Sequence, residues 1–507
     1  MRRGRWTLVA VCTATFALLF NITAPTVAFG RIEAELGASF QDLQWVISAY
    51  SLTLAALLLS AGDLADRHGR RRLFLVGAVV FILSSVVCGL AGRPLVLNLG
   101  RASQGLGGSI ILATSLALLA AEFEGRARAT AMSAYAAAIG AGVGMGPLLG
   151  GALTGALGWR WLFYANVPLM LVALGAAALR MRESRDPDAH AADPWGFVAF
   201  SGGAFLIVFS LVRGNSAGWS SPQIVIAFAA GVGMLAAFVA IERRQRRPML
   251  DLELFRNPAF VGVSLAGFAV AASIFAVTVY LTLYLLNLRG GSPLVVGLQL
   301  LPYGVAQVAV AAIAPKLHGR LPARVLLGGG LALGGTGMVL MLGLGTDSAW
   351  LQLAPGMVLA GAGATVVNAS GAIAAVQFVD VARSGMASGI NNTCRQMGLA
   401  IGAAGLGAIL QSRLADQLVG SGALPAGRVA ELAPRLATGR PLESTGAAPA
   451  AQAAFEEAAA LGFVSALTDV LVVAAAIAFA GAVAALALVR ECDLAPATRS
   501  LDRMDVK

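Results

Sequence analysis

The chain has 507 residues, 58% of them hydrophobic and only 12% charged, with a mean hydropathy of +0.79. Soluble domains carry about a quarter charged residues, so an ordinary soluble domain is excluded, and so much apolar surface excludes a disordered chain. The 36 Lys+Arg against 26 Asp+Glu leave a net charge of +10, but the basic residues lie between apolar runs rather than in one patch, which argues against a nucleic-acid partner.

Fourteen apolar runs are long enough for bilayer-spanning helices, which need roughly 20 residues. In chain order they cover 8–28, 45–61, 73–91, 95–121, 129–157, 161–179, 195–212, 224–241, 260–286, 295–313, 325–344, 351–376, 387–410 and 463–489. None alternates with period two, so a β-barrel is not supported. The predicted class is an all-α, polytopic membrane protein that touches the lipid bilayer along most of its surface.

The first run follows MRRGR. It is too long for a signal-peptide core and no small-residue cleavage site follows, so a retained first helix is expected. It carries Asn21-Ile22-Thr23, and Tyr50 falls in the second run. Between the second and third runs lies GDLADRHGRRRLF, 62–74. A positive-inside anchor explains its arginines but not Gly62, Asp66 and Gly69 at those spacings. Two glycines let the chain reverse. Asp66 with Arg67 or Arg70, joined by Glu122 or Glu124 at the end of the fourth run, could form a breakable latch.

The fourth run holds Arg101, with Gln104 and Gly105 on the same helix face. An ionisable residue within a span is a functional candidate by default, although Arg101 is near enough to the helix end to snorkel. The fifth run carries Tyr135 and GAGVGMGPLLGG, 140–151. There Gly142 and Gly146 form a GxxxG face, Pro147 removes a backbone donor and bends the helix, and Gly150 and Gly151 follow. GWRWLFYANVP comes next, at 158–168. A charged, polar segment covers 180–194, and RRPMLDLELFRNPAF covers 246–260.

Beyond it, Tyr280, Tyr284, Gln299, Tyr303, Gln307 and Asn368 could face a wet cavity or glue helices together. PKLHGRLPAR, 315–324, weakly repeats the 62–72 loop, and repeated halves are common in transporters. SGMASGINNTCRQMGLAIG, 384–402, brings Arg395 into the thirteenth run. The segment 411–462 is rich in Ala, Gly and Pro and reads as a surface insertion, with 452–461 a possible short helix. Residues 490–507 form a tail.

Arginine counting orients the chain. With the N-terminus inside, 25 of the 36 basic residues fall in inside segments and nine outside, and Arg101 and Arg395 lie within spans. Both termini are therefore expected in the cytoplasm. Cys12, Cys88 and Cys394 lie in separate spans and Cys492 in the tail, with no CxxC. His68, His190 and His318 are all in predicted loops. No metal, no cofactor and no catalytic cluster is expected.

These motifs resemble the major facilitator superfamily. GDLADRHGRRRLF resembles its signature loop between helices two and three, RPLVLNLGRASQGLGGS (93–109) its helix-four motif, and GAGVGMGPLLGG the antiporter motif of its drug exporters. With 158–168, 246–260 and 384–402 in their expected places, the resemblance covers nearly the whole chain and points to the fourteen-helix drug:proton antiporters. It implies two six-helix bundles, residues 1–180 and 258–489, separated by two extra helices within 181–257. It also implies a monomer that exports small amphipathic compounds, drugs or antibiotics, by alternating access with protons as partner. The alternatives are a metabolite importer or facilitator of the same fold, which the antiporter-like motif disfavours, and a membrane-embedded enzyme or sensor, which lacks its chemistry here. One departure matters. Where many of these exporters carry D-x-T in helix one, this chain has Asn21-Ile22-Thr23. An amide takes up no proton near neutral pH, and no acid lies deep in a span, Asp63, Glu122 and Asp469 being nearest. The substrate expected is thus neutral, weakly acidic or zwitterionic.

Overall fold

The computed structural model describes residues 2–123, 125–185, 193–245, 250–287, 292–318, 320–343, 345–346, 348–378, 384–420 and 449–490. Among them there is no strand. Fourteen long helices follow one another: α1 Arg2–Thr23, α2 Phe40–His68, α3 Arg70–Gly89, α4 Pro94–Glu122, α5 Gly125–Leu157, α6 Trp161–Arg180 and α7 Pro194–Ala217. Then come α8 Pro222–Arg244, α9 Pro258–Leu286, α10 Pro293–His318 with a break at Leu300, α11 Ala323–Leu340, α12 Ala354–Gln377, α13 Ser384–Gly420 and α14 Pro449–Leu488. Twelve spans are long and apolar enough to cross a bilayer as single helices. Two more, α2 and α10, are bent by 55° and 46°. The protein is a multi-pass membrane protein.

Local chemistry sets the ends. Six of these helices start on proline (Pro94, Pro194, Pro222, Pro258, Pro293, Pro449), whose missing N–H costs nothing in the first turn. Before α2, the Ser39 hydroxyl accepts from the Asp42 amide and the Asp42 carboxylate accepts from the Ser39 amide, closing a capping box. Several helices outrun the apolar runs. Phe40–His68 exceeds 45–61, Ser384–Gly420 exceeds 387–410, and the expected short helix at 452–461 is the first part of α14. Polar helix-formers continue the hydrogen-bond ladder past the bilayer core, and hydrophobicity does not register them. Of the expected insertion, 421–448 lies outside the described residues, as do 491–507 of the tail and Glu124.

Helices α1–α6 pack as one bundle and α9–α14 as another, while α7 and α8 pair with each other and α7 lies on α2 and α13. Lipid offers no hydrophobic drive between helices, so close packing must do the work. Gly77 meets Gly107, Gly203 meets Gly231 and Gly330 meets Gly363, where an added methyl would come within 2.9–3.0 Å of a backbone carbonyl oxygen. The α3–α4 and α11–α12 crossings are thus built alike. Apolar side chains such as Leu83, Ile226 and Val483 face outward, as lipid requires.

The bundles meet along α2–α13 and α5–α10. At the end remote from the termini they share one core, with Phe20, Phe40 and Ile47 against Tyr280, Leu300 and Leu410. Toward the termini the clusters separate. One lies within α1–α6, around Phe74, Leu119 and Met170, and another joins α7–α9 and α13, around Phe238, Phe260 and Ile390.

Candidate functional site

Arg101 is fully buried at the centre of the first bundle. Its Nε donates to the Val46 carbonyl at 2.7 Å, Nη1 to Gln104 Oε1 at 2.9 Å and Asn21 Oδ1 at 3.4 Å, and Nη2 to the Asn21 carbonyl at 2.9 Å. The ring of Tyr50 lies 4.4 Å below the guanidinium. The Asn21 carbonyl is available for a local reason. Its helical donor would be the N–H of residue 25, which is proline. Asn21 Nδ2 donates to Asn166 Oδ1 at 2.6 Å, and Gln104 Nε2 donates to Ser85 Oγ at 2.8 Å. Five helices thus converge on one cation whose partners are carbonyls, amides and a ring. The sequence brought Asn21, Tyr50, Arg101 and Gln104 forward singly, and the structure unites them. Asn166 had a signal only as part of the 158–168 stretch, and Ser85 had none beyond being polar within a span.

A second proline acts in α5. Pro147 cannot donate to the Val143 carbonyl, and the Thr23 hydroxyl fills the gap at 3.1 Å. The antiporter-like glycines explain how Thr23 gets there. Gly142 backs onto the Phe16 carbonyl, Gly146 onto Thr23 itself and Gly150 onto Ala24, so one glycine face of α5 carries α1. The opposite face meets the other bundle. Gly144 lies on the Gly304 carbonyl, Gly151 on the Pro293 carbonyl, and Gly297 of α10 on the Pro147 carbonyl.

In the second bundle Arg395 is half-buried. Its Nη1 donates to Asn368 Oδ1 at 3.2 Å and Nη2 to Asn392 Oδ1 at 2.8 Å. Tyr135, buried on α5, lies within electrostatic reach of this guanidinium across the bundle boundary. Gln307 is buried, with its amide beside Gly144. Tyr303, one turn earlier, lines a small void with Ile274, Thr278, Leu300, Met338 and Met357, and its hydroxyl has no hydrogen-bond partner among the described residues. Tyr280 donates to the Ala403 carbonyl and Tyr284 to that of Gly345 at 3.4 Å, while Gln299 Oε1 is buried without a partner.

The expected latch is only partly assembled. Arg70 Nε donates to Asp66 Oδ1 at 2.7 Å, four residues away on the α2–α3 corner. Arg67 is exposed, Gly62 leaves open space, and Glu122, beside Gly4 and Phe123, forms no ion pair with Arg67 or Arg70. The corner is instead held by Glu183, just after α6. Its carboxylate accepts from the amides of Arg71 at 3.0 Å and Arg72 at 3.3 Å, capping α3. Arg71 returns the favour to the end of α6, donating to the carbonyls of Ala177 at 3.1 Å and Ala178 at 2.6 Å. Gly69 has φ +107°, and a methyl there would lie 2.6 Å from the Glu183 carboxyl carbon. Both demands select glycine.

Asp469 pairs with Arg413 at 3.3 Å near the end remote from the termini. Among the described residues no group of three His, Cys, Asp or Glu could hold a metal.

Residues 9–403 match the family model described as Major Facilitator Superfamily. The chain is 34% identical over 414 residues to the multidrug resistance protein Stp of Mycobacterium tuberculosis, covering 81% of this chain and 77% of that one. It is 33% identical over 432 residues to the puromycin resistance protein pur8 of Streptomyces alboniger, covering 84% and 86%. Among solved structures, a bacterial homolog of the human lysosomal transporter Spinster, inward-facing and unoccupied, superposes with a TM-score of 0.60 at 19% identity, covering 97% of this chain and 99% of that one.

Proposed function

The chain belongs to the major facilitator superfamily, and from that premise we propose that it exports small amphipathic compounds, drugs or antibiotics among them, across the cytoplasmic membrane. Substrate moves between the two bundles by alternating access, with both termini in the cytoplasm and the monomer as working unit. The observation that carries this reading is the arrangement of the bundles. They share a core at the end remote from the termini and separate toward the termini, and the boundary between them is lined by Tyr135, Gln307 and Arg395. With the termini inside, a core shared only at the outer end fits the loading state of an exporter. The names of the relatives, multidrug resistance and puromycin resistance proteins, support export and the substrate class.

Proton coupling is the weaker part. Arg101 is matched to Asn21 rather than to a carboxylate, so the first bundle holds no titratable acid at its polar centre. This favours, as a second reading, transport that is not driven by protons taken up at helix one. One measurement separates the two. Everted membrane vesicles bearing the protein are loaded with a fluorescent amphiphile under an imposed proton gradient. Uptake abolished by a protonophore supports antiport. Uptake down the substrate gradient alone, unchanged by the protonophore, supports the uncoupled reading, and no uptake of any compound removes the exporter proposal.

A further inference from the structure

We infer that Arg395, Asn368 and Asn392 form a recognition site for the anionic group of the substrate, a carboxylate or similar oxyanion carried on an apolar body. The inference rests on the transport reading above and narrows its substrate class.

The two arginines inside the spans differ in a way that decides their roles. Arg101 is fully buried and spends donors of all three nitrogens on four acceptors. Four of its five N–H donors are used, and full burial leaves no route to it. Arg395 is half-buried and makes two bonds, one from each terminal nitrogen. A guanidinium has five N–H donors and no acceptor, so three remain unspent.

The partners sharpen the point. Arginine can only donate, so both asparagines must turn their oxygens toward it. That turns both amide nitrogens away, and an amide nitrogen is a donor too. With Oδ1 of Asn368 and Asn392 turned onto the guanidinium, the trio's unspent capacity is mainly N–H donors. Among the described residues no carboxylate bonds this guanidinium. The sequences of α1, α5, α7, α9, α10 and α12 contain no Asp or Glu, α13 has only Asp416 near its far end, and α2, which packs on α13, carries Asp42 at one end and Asp63 and Asp66 at the other. A cation partly withdrawn from water without a counter-ion is costly, and an arriving anion relieves that cost while gaining charge-assisted bonds. A lipophilic cation meets repulsion instead.

The test uses the purified full-length protein in zwitterionic lipid nanodiscs and three naphthalene probes of one shape: 2-naphthoate, 2-naphthamide and 2-naphthylmethylammonium. Binding is followed by probe fluorescence. The expected result is 2-naphthoate bound about tenfold or more tighter than the amide, with the ammonium weakest. Arg395→Gln should erase the preference while leaving amide binding in place. Because Arg395 also ties α12 to α13, a second variant separates structure from recognition. Asn368→Asp keeps the tie and strengthens it, but supplies the anion from within, so it should erase the preference in a protein at least as heat-stable as wild type. Equal binding of the three probes, binding of none, or a preference that survives Asn368→Asp overturns the inference. Displacement of 2-naphthoate by millimolar inorganic phosphate, or loss of its binding on adding phosphatidylglycerol, also overturns it, because the site would then serve a free phosphate or a lipid headgroup. Transport without charge preference would leave export standing and remove the anion site. Anion binding without transport by vesicles would do the reverse.

Discussion

At Asn21 a single atom type decides what Arg101 can do. An amide oxygen holds the guanidinium without neutralising it, and no proton can be exchanged there. Asn21→Asp should place a titratable group against Arg101. Transport should then gain a limb in its pH–rate profile that wild type lacks. Superimposable profiles for variant and wild type in proteoliposomes would exclude this. Thr23 offers a cleaner stability test. Thr23→Val keeps the shape and removes the donor to Val143, leaving a buried carbonyl unsatisfied next to Pro147, at about 1–3 kcal/mol. Thr23→Ser should stay near wild type in the same thermal melt. Asn21, Arg101 and Pro147 were each legible as isolated anomalies in apolar runs. That they complete one another was not, because Arg101 and Asn21 are 80 residues apart and only packing joins them. One clue was available. A proline four residues after a helical residue frees its carbonyl, which applies to Asn21 before Pro25 and Val143 before Pro147.

Among the elements, the α2–α3 corner shows how weak an obvious ion pair can be. Asp66–Arg70 is an i,i+4 pair with both side chains partly exposed, a type that contributes about 0.3–0.5 kcal/mol. Asp66→Asn should therefore leave the melting temperature nearly unchanged, and any loss of transport would come from the cycle rather than from folding. Glu183 is different. It caps α3 as Arg71 caps α6, so the two helices end on each other. Glu183→Gln should cost about 1 kcal/mol, and Gly69→Ala should cost more, through both its backbone angle and its overlap with Glu183. A thermal melt in which Gly69→Ala matches wild type would contradict this. The helices themselves were legible because some 20 apolar residues are hard to place anywhere but in a membrane. Their ends, and Glu183, were not. Helix continues into polar sequence without an apolar marker, and Glu183 meets its partners across 112 residues from an unremarkable charged segment.

On the scale of the molecule, switching means re-tilting one bundle on the other about α2–α13 and α5–α10. Gly304→Leu should wedge the α5–α10 boundary, since a side chain there meets the Gly144 backbone. Overpacking costs about 1–3 kcal/mol, charged only to the state closed at the end remote from the termini, so that state should lose about tenfold or more in population. Labelling of a cysteine placed at Leu294 from the outer face should accelerate accordingly, and an unchanged rate would refute it. The same boundary has a mechanical meaning. Helices with ordinary side chains interlock, ridge into groove, and must climb over one another to turn. Where Gly144 and Gly304 touch, and where Gly297 lies on the Pro147 carbonyl, there are no ridges, only smooth backbone on backbone. Such a joint works as a plain bearing. It carries load across the boundary but resists rotation little, so the rate of the cycle should be governed by what happens at its ends, in the shared core and at the Glu183 corner, and not by friction at its pivot.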